Sequence, residues 1–306
     1  MQDKYIYNIV EYTLPNKYLW SIFKCKMRYT YKQFKTEYPN DETCLKSVLE
    51  NRYGNTCPKC GTVGTKFYPI KGRKGFACLS CRKHIYPLAG TIFHKSETPL
   101  WDWFYAIYQF SVAKNGVSAK ELERHLGVTY KTAWRMCRQI RLLMQQDADL
   151  LSGQIEIDET YIGGRHIRRY GRSKKQVVFG MVERNGSAKV KQVKSSGARV
   201  LLPEITKGVE LASDIFSDEW RAYKTLKRRG YTHTTVNHST LEYVRGSAYT
   251  NTIEGFWSQL KRSLDGTYHA VSPKYLQSYL NQFVFQYNYR DVPVCPLLLE
   301  LASKNA

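Results

Sequence analysis

Four of the eight cysteines stand in two close pairs, Cys57-Pro-Lys-Cys60 and Cys78-Leu-Ser-Cys81. Each pair can place two thiolates on one side of a metal ion, and this spacing is the one expected of a tetrahedral zinc site with four thiolate ligands. Gly61 follows the first pair and allows the tight turn that such a site requires. Two disulfides are the alternative, but the chain carries no secretory signal pattern. We therefore predict a structural zinc ion held by Cys57, Cys60, Cys78 and Cys81.

Three acidic residues further along the chain, Asp158, Asp218 and Glu254, are of the type that binds hard divalent cations. Asp158 lies at the apparent end of an alternating segment that begins at Gln154, and Asp218 follows a strand-like segment that ends at Phe216. Two strand-end aspartates and a glutamate on a helix could hold two Mg²⁺ or Mn²⁺ ions about 3.5 to 4 Å apart around a phosphoryl transfer. The alternative is that each acid is a solvated surface group.

The segment that begins at Thr250 predicts a helix with two different faces. At about 100° per residue, one face of this helix is polar and the opposite face is apolar. The polar face carries Asn251, Glu254, Ser258 and Lys261, and the apolar face carries Ile253, Phe256, Trp257, Leu260 and Leu264. One face would therefore pack while the other presents chemistry. Taken alone, the pattern is more typical of a solvated charged face.

The charge of the chain indicates its partner. Forty-seven Lys and Arg residues against 26 Asp and Glu residues give a formal net charge of +21, which favours a polyanion through counterion release. Nucleic acid is the natural partner. An anionic membrane is the rival, but no apolar run approaches the roughly 20 residues that span a bilayer, and the N-terminus has no signal-peptide pattern. We expect an intracellular protein with no membrane partner.

Two further stretches have the composition of DNA-contacting surfaces. Ser118-Ala-Lys-Glu121 is a capping box that opens a short helix, Gly127-Val-Thr129 breaks it, and a second helix follows from about Tyr130, which is a helix-turn-helix pattern. Arg73 and Lys74 lie between the two cysteine pairs, which are typical of a zinc ribbon, and there they would contact phosphate. A zinc ribbon can also serve only to stabilise the fold. The predicted DNA-contacting residues are Arg73, Lys74, Lys131, Thr132, Arg135 and Arg138, and a basic loop of Arg165, Arg168, Arg169, Arg172, Lys174 and Lys175.

The order of these patterns predicts an α+β protein with several domains. After residue 153, alternating segments predict strands at 154–158, 177–182, 190–193 and 209–216, and helices follow at 220–230, at 250–264 and from 272. The predicted domains are a helical lead-in at 1–56, a zinc ribbon at 57–95, a helix-turn-helix DNA-binding region at 96–150 and a catalytic domain with a mixed sheet and helices at 151–306.

Taken together, these residues resemble a known family. The chain is similar to DDE transposases of bacterial insertion sequences, in the group related to the eukaryotic Merlin elements. The similar stretches run from about residue 40 to about residue 290 and are jointly specific. They are Cys57-Pro-Lys-Cys60-Gly61, Ala89-Gly-Thr-Ile-Phe93, Gly127-Val-Thr-Tyr-Lys-Thr-Ala-Trp134, Ile157-Asp-Glu-Thr-Tyr-Ile-Gly-Gly164, Ser217-Asp-Glu-Trp-Arg-Ala-Tyr223 and Thr250-Asn-Thr-Ile-Glu-Gly-Phe-Trp-Ser-Gln-Leu-Lys261.

The resemblance implies an RNase H-like catalytic domain whose metal ligands are Asp158, Asp218 and an acid of the Thr250 helix. Asp218 precedes Glu-Trp-Arg-Ala-Tyr and therefore fits the family pattern better than Asp214, which lies in the same predicted strand.

Family members present both an Asn and a Glu in that helix. We expect Glu254 to be the third ligand, with Asn251 as the alternate, because a carboxylate binds a hard cation better than an amide does. Lys261 would face DNA phosphate. Tyr249 is a departure, since the family usually has His at this position.

The activity implied by the resemblance is that of a DNA transposase. The ribbon and the helix-turn-helix would bind the terminal inverted repeats as double-stranded DNA. The catalytic domain would use Mg²⁺ or Mn²⁺ to cut a strand, and the freed 3′-hydroxyl would then attack target DNA. The resemblance also implies a homodimer or higher oligomer on DNA, in the cytoplasm and at the nucleoid of a bacterial host. Two alternatives stay open: a transposase-derived DNA-binding regulator without catalysis, and a metal-dependent nuclease that cuts but never joins.

Overall fold

The computed structural model describes residues 29–146, 148–163, 175–219, 221–235 and 249–304. Of the predicted basic loop, Lys175 lies within this part of the chain, whereas Arg165, Arg168, Arg169, Arg172 and Lys174 lie outside it. Over the described residues, no helix is both long enough and apolar enough to cross a bilayer.

Six helices supply most of one aromatic and aliphatic core, in which Phe34, Trp103 and Phe104 are fully buried. They are α1 (Tyr31–Glu37), α2 (Asp41–Tyr53), α3 (Leu100–Val112), α4 (Ala119–Leu126), α5 (Tyr130–Leu143) and the last helix of the chain, α9 (Val294–Ser303). Helix α9 contacts α2, α3 and α5 and buries Cys295 and Leu298 among them. The helical region therefore includes a segment that lies within the predicted 151–306 domain.

The first turn of α3 is capped by a side chain of another helix. The Asp41 carboxylate, at the start of α2, accepts hydrogen bonds from the backbone amides of Leu100 (3.1 Å) and Trp101 (2.8 Å). Pro99 precedes α3 and offers no side-chain cap of its own. One carboxylate thus lies at the positive dipole ends of two helices, and it fixes the angle between them.

A small three-stranded antiparallel sheet forms the zinc ribbon between α2 and α3. Its strands are β1 (Phe67–Pro69), β2 (Phe76–Cys78) and β3 (His84–Ile85). Leu49 of α2 joins the small core of the ribbon, and Arg52 of α2 donates hydrogen bonds to the carbonyls of Pro87 (2.6 Å) and Ala89 (2.5 Å). Because strands this short bury too little apolar surface to fold alone, the ribbon depends on α2 and on its cysteines.

The remaining strands form one mixed sheet in the order β6-β5-β4-β7-β8. Strands β4, β5 and β6 are antiparallel, whereas β7 and β8 run parallel to β4. The strands are β4 (Gln154–Ile162), β5 (Gln176–Glu183), β6 (Ala188–Val193), β7 (Asp214–Ser217) and β8 (Thr232–Thr235), and the helices are α6 (Ala198–Gly208), α7 (Asn251–Ser263) and α8 (Pro273–Asn288). Helix α6 packs on one face of the sheet, and α7 and α8 pack on the other. The predicted α+β fold with an RNase H-like mixed sheet is confirmed.

Two local predictions in this domain were wrong. The strand predicted at 209–216 is restricted to β7. The Val209 amide donates a hydrogen bond to the Ile205 carbonyl at the end of α6, and Ala212 has a left-handed backbone conformation with φ 64°. The helix predicted at 220–230 is replaced by two 3₁₀ turns, Arg221–Tyr223 and Lys227–Arg229. A hydrogen bond from Tyr223 to Glu159 of β4 draws this segment against the sheet.

A buried arginine joins the helical region to the sheet domain. Arg141 of α5 is 3% exposed, and its Nε donates to Gln282 Oε1 of α8 (2.9 Å). Its guanidinium lies 4.0 Å from the ring centroid of Tyr279 and 5.1 Å from that of Tyr268. The two aromatic ring faces and the amide acceptor compensate for the burial of this cation. These contacts therefore fix α5 relative to α8.

Candidate functional site

The four ribbon cysteines converge on one point. Their Sγ atoms all lie within 4.8 Å of one another, with 3.9 Å between Cys57 and Cys81 and 4.0 Å between Cys60 and Cys78. Four thiolates bound tetrahedrally to zinc at about 2.3 Å would lie about 3.8 Å apart, whereas a disulfide would bring two sulfurs to about 2.05 Å. The donor set and the spacing therefore fit a zinc ion, and the predicted four-cysteine cluster is confirmed.

Two turns of the same shape present these thiols. The Gly61 amide donates to the Cys57 carbonyl, and the Arg82 amide donates to the Cys78 carbonyl, both at 2.9 Å. Gly61 has φ 74° and Arg82 has φ 57°, in the left-handed region that glycine adopts without strain. A hydrogen bond with Thr65 lowers the pKa of the Cys78 thiol to about 6, which favours the thiolate form that binds metal.

Asp158 and Asp218 lie on the same face of the sheet. The parallel register pairs Glu156 of β4 with Phe216 of β7. Continued by two residues, this register sets Asp218 beside Asp158. Asp218 directly follows β7, as predicted. Asp158, however, is not at the end of its strand but in the middle of β4, because the β-forming segment Thr160-Tyr161-Ile162 goes on pairing with β5.

Helix α7 brings Glu254 towards the two aspartates. Its predicted faces are confirmed: Asn251, Glu254, Ser258 and Lys261 are exposed, and Ile253, Phe256, Trp257, Leu260 and Leu264 are buried. The indole Nε1 of Trp257 donates a hydrogen bond to Asp158 Oδ2 (3.0 Å). Gly180 of β5, opposite Asp158, makes this approach possible, since a Cβ at Gly180 would lie 2.5 Å from the Trp257 ring.

The three acids influence one another electrostatically. Burial raises the pKa of Asp158 to about 6, and the carboxylates of Asp218 and Glu254 add to this rise. Glu254 accepts a hydrogen bond from the Thr250 hydroxyl (3.0 Å). Within the described ranges, the cysteines are the only group of three or more potential ligands whose donor atoms all lie within 4.8 Å of one another. The acids are thus adjacent without reaching that distance, and a cation between them would relieve their repulsion.

A fourth acid, which no sequence pattern indicated, borders this cluster. Glu159 follows Asp158 and accepts a hydrogen bond from the Tyr223 hydroxyl. Burial raises the pKa of Glu159 to about 7, and the charges of Asp158 and Asp218 contribute. Because Tyr223 lies in the turn after Asp218, this hydrogen bond ties that turn to β4. The position of Glu159 directly after Asp158 is the sequence feature that could have identified it.

The raised pKa of Asp158 predicts how the stability of the metal-free protein depends on pH. Its folded-state value of about 6 lies above its ordinary value of 3.8, so folding favours the protonated acid. The resulting stability is present below about pH 4 and is lost as pH rises through 6, by about 3 kcal/mol. Thermal melts from pH 4 to 8 without divalent ions should show this loss in the native protein relative to Asp158→Asn.

Two features keep this comparison interpretable. Burial lowers the pKa of His233, so the contribution of His233 to stability increases as pH rises. This contribution is the same in both proteins. Addition of Mn²⁺ at pH 8 should raise the melting temperature of the native protein alone. Parallel curves for the two proteins at every pH would contradict the assignment.

A buried ion pair, also missed from sequence, lies next to the acids. Glu156 is fully buried and accepts hydrogen bonds from Arg184 Nε (2.8 Å), the Thr252 hydroxyl (2.9 Å) and the Ile253 backbone amide (2.9 Å). Thr252 and Ile253 belong to the first turn of α7. A charged residue between two buried isoleucines of β4 was the signal that could have pointed to Glu156, whereas nothing local identifies Arg184.

The predicted DNA-contacting helix α5 has an exposed basic face. Lys131, Arg135 and Arg138 are exposed, while Thr132 is half-buried. The preceding helix α4 ends at Gly127, whose φ of 66° makes the predicted turn between the two helices. In the ribbon, Arg73 and Lys74 are exposed in the turn between β1 and β2, and Lys175 is exposed just before β5.

Two of these arginines also contact the protein itself. The Arg135 guanidinium donates to the Ser96 hydroxyl (3.2 Å). The Arg138 guanidinium lies 5.9 Å from the ring centroids of both Trp134 and Tyr275. Tyr275 belongs to α8, so Arg138 lies where the helical region meets the sheet domain. Within the part of the chain that the structure describes, Lys131 makes no contact of this kind, and it lies in the first turn of α5.

Comparison with known proteins identifies both parts of the chain. Residues 39–84 match a transposase zinc-ribbon domain, and residues 150–288 match an ISXO2-like transposase domain. Together these ranges cover more than half of the chain and contain the cysteine cluster and all three acids. A zinc ribbon followed by this sheet domain defines the class of transposases of insertion sequences. The chain belongs to the ISXO2-like transposase family of bacterial and archaeal insertion sequences.

Two curated relatives agree with this assignment. The chain is 26% identical to an uncharacterized protein in transposable element ISH50 of Halobacterium salinarum, over 78% of this chain and 87% of the relative. It is 28% identical to an uncharacterized transposase-like protein of Haemophilus influenzae, over 30% of this chain and 73% of the relative. Among solved structures, a simian T-cell lymphotropic virus intasome in complex with PP2A regulatory subunit B56 gamma matches with a TM-score of 0.29 and 15% identity, over 60% of this chain and 65% of that one.

Proposed function

We propose that this chain binds the terminal repeats of its mobile element and performs divalent-metal-dependent cleavage and joining of DNA strands. The observation that carries the proposal is the adjacency of Asp158, Asp218 and Glu254 on three different elements of the sheet domain. The burial that raises the pKa of Asp158 to about 6 makes its charged form more costly in the absence of a cation. Acids held in this way are typical of a catalytic site and not of a solvated surface.

The acids of this site would hold Mg²⁺ or Mn²⁺. Bound between oxygen ligands, such ions activate a water molecule and stabilise the leaving oxygen of a phosphodiester. The hydrogen bond from Trp257 to Oδ2 orients the Asp158 carboxylate within the site. Lys261 lies about two helical turns after Glu254 on the same exposed face, where its ammonium can contact a phosphate of the bound strand.

We favour Glu254 over Asn251 as the third ligand. Both side chains are exposed on α7, but Glu254 is the one whose charge acts on Asp158. A carboxylate also binds a hard cation better than an amide oxygen does. Glu254→Gln should therefore abolish metal-dependent cleavage, while Asn251→Ala should retain it.

The ribbon and the helical region would hold the DNA. We assign Zn²⁺ to the four cysteines as a structural ion, and phosphate contacts to Arg73, Lys74 and the exposed face of α5. Because a mobile element has two ends, each of which must be bound, we expect a homodimer or higher oligomer on the DNA. The net charge of +21 supports DNA as the partner.

Lys131 offers a direct test of the α5 surface. Lys131→Ala should weaken binding to all DNA sequences alike and should reduce the slope of log K against log salt concentration by about 1, since one phosphate contact is lost. Binding titrations between 50 and 200 mM salt would measure this slope. The matched control is Lys304→Ala, at the end of α9, where the lysine pairs with Glu300. An unchanged slope for Lys131→Ala would place the DNA elsewhere.

Cleavage of labelled terminal-repeat DNA tests the proposed function. The native protein should release a 3′-hydroxyl end with Mg²⁺ or Mn²⁺ and not with a chelator. DNA binding without cleavage by either ion would contradict the proposal and would favour a DNA-binding regulator.

A further inference from the structure

One guanidinium group contacts β4, β7 and the residue before the N-cap of α7, which are the segments that position the three acids. Arg184 directly follows β5, and its side chain is 6% exposed. Its Nε donates to Glu156 of β4, and its Nη2 donates to the carbonyl of Tyr249 (2.8 Å), the residue before the N-cap of α7. Its Cζ lies 4.0 Å from the ring centroid of Phe216 in β7 and 3.6 Å from that of Tyr249. The arginine thus joins β4, β7 and the start of α7.

The carboxylate of Glu156 holds the first turn of α7. It accepts the backbone amide of Ile253 through Oε2 and the hydroxyl of Thr252 through Oε1. Thr250, at the N-cap position, makes no side-chain hydrogen bond to the helix amides. Glu156 therefore replaces the usual cap and places negative charge at the positive end of the helix dipole. The arginine and the helix amides together compensate for the burial of this charge.

We propose that Glu156, Arg184 and Tyr249 form a clamp of positioning residues that sets the separation between the acids of β4, β7 and α7. Glu156 and Asp158 share one face of β4, and Glu254 directly follows the amide that Glu156 holds. Any tilt of α7 at Ile253 therefore moves Glu254 relative to Asp158. This inference rests on the proposed function, because it concerns the geometry of the same three acids.

Tyr249 would act through its ring and its carbonyl. The ring stacks on the guanidinium, a contact that arginine makes well with aromatic faces. The hydroxyl has no part in this contact, so the clamp requires an aromatic ring and no proton transfer at this position. Tyr249→Phe should accordingly behave as the native protein does, whereas Tyr249→Ala should not.

The experiment compares Glu156→Gln, Arg184→Lys, Tyr249→Ala and Tyr249→Phe with Ile205→Ala, which removes buried volume from the opposite face of the sheet. Three quantities are measured: the rate of single-turnover cleavage, the Mn²⁺ concentration at half-maximal rate, and the affinity for terminal-repeat DNA. Hydrogen exchange at residues 249–257 is followed in the same proteins without metal. All assays are run at a temperature at which each variant is folded.

The clamp predicts a pattern that a loss of stability alone would not produce. The first three variants should cleave at least about tenfold more slowly and need at least about threefold more Mn²⁺, since residues that support metal ligands affect affinity or rate by about 10- to 100-fold. Their DNA affinity should stay native, and exchange should rise at 249–257. Tyr249→Phe and Ile205→Ala should keep the native rate and Mn²⁺ requirement.

Two failures are distinguishable. If the native protein cleaves and Glu156→Gln and Arg184→Lys cleave equally well at the same Mn²⁺ concentration, the clamp is overturned while the proposed function stands. If the native protein binds DNA and never cleaves, the proposed function fails. Hydrogen exchange then decides the clamp, because unchanged exchange at 249–257 in Glu156→Gln and Arg184→Lys would overturn it.

Discussion

Replacement of Asp158 by asparagine is expected to abolish metal-dependent cleavage, with a loss of about a thousandfold or more, because the side chain would lose the charge that binds the cations while keeping its shape. The hydrogen bond from Trp257 can persist, since an amide oxygen also accepts it. DNA affinity should stay close to native, because the proposed phosphate contacts of the ribbon and of α5 are unchanged in this variant. Single-turnover cleavage and binding titrations measure the two quantities separately.

The matched control for this prediction is Asp214→Asn. Asp214 is the first residue of β7, so it shares the sheet with the proposed ligands but lies at the opposite end of that strand from Asp218. Its variant should cleave at the native rate. Comparable losses in Asp214→Asn and Asp158→Asn would show that the assay reports a general effect of charge on the sheet domain.

Loss of the ribbon's metal is the second change with a large expected effect. Cys78→Ser should eliminate bound zinc and unfold residues 57–85, because the binding energy of a structural zinc site, about 10 to 16 kcal/mol in isolated zinc-binding peptides, is folding energy. The small ribbon core, with strands of two and three residues, cannot replace it. Metal analysis and hydrogen exchange would measure the loss, together with weaker binding to terminal-repeat DNA.

Cys44→Ala provides the control for the ribbon. Cys44 is a fully buried thiol of α2 outside the cluster. Its removal should lower the overall stability by about 1 kcal/mol and leave one zinc per chain. A Cys78→Ser protein that still holds one equivalent of zinc and shows native exchange at 57–85 would contradict the four-thiolate site.

Local patterns predicted those parts of the molecule that local physics determines. The faces of α7 follow from the helical period alone, since residues three and four apart share a side of the helix. The cysteine cluster follows from spacing, because two turns of fixed shape place four thiols around one point.

Long-range contacts explain what the sequence did not reveal. The middle position of Asp158 depends on how far β4 pairs with β5, and the 3₁₀ turns after Asp218 depend on the bond between Tyr223 and Glu159. Helix α9 packs against helices more than 150 residues away, which no local pattern encodes. The contacts of Arg184 likewise join segments that are distant in the chain.

A strand-joining assay separates a transposase from a nuclease and from a DNA-binding regulator. A labelled terminal-repeat duplex ending in a 3′-hydroxyl is incubated with supercoiled plasmid, the native protein and Mg²⁺ or Mn²⁺, beside an identical duplex ending in 3′-deoxy. We predict that joined product forms only from the 3′-hydroxyl duplex and disappears with Asp158→Asn. Nicked plasmid without joined product would indicate a nuclease, and bound DNA with neither nicking nor joining with either ion would contradict the proposed transposase activity.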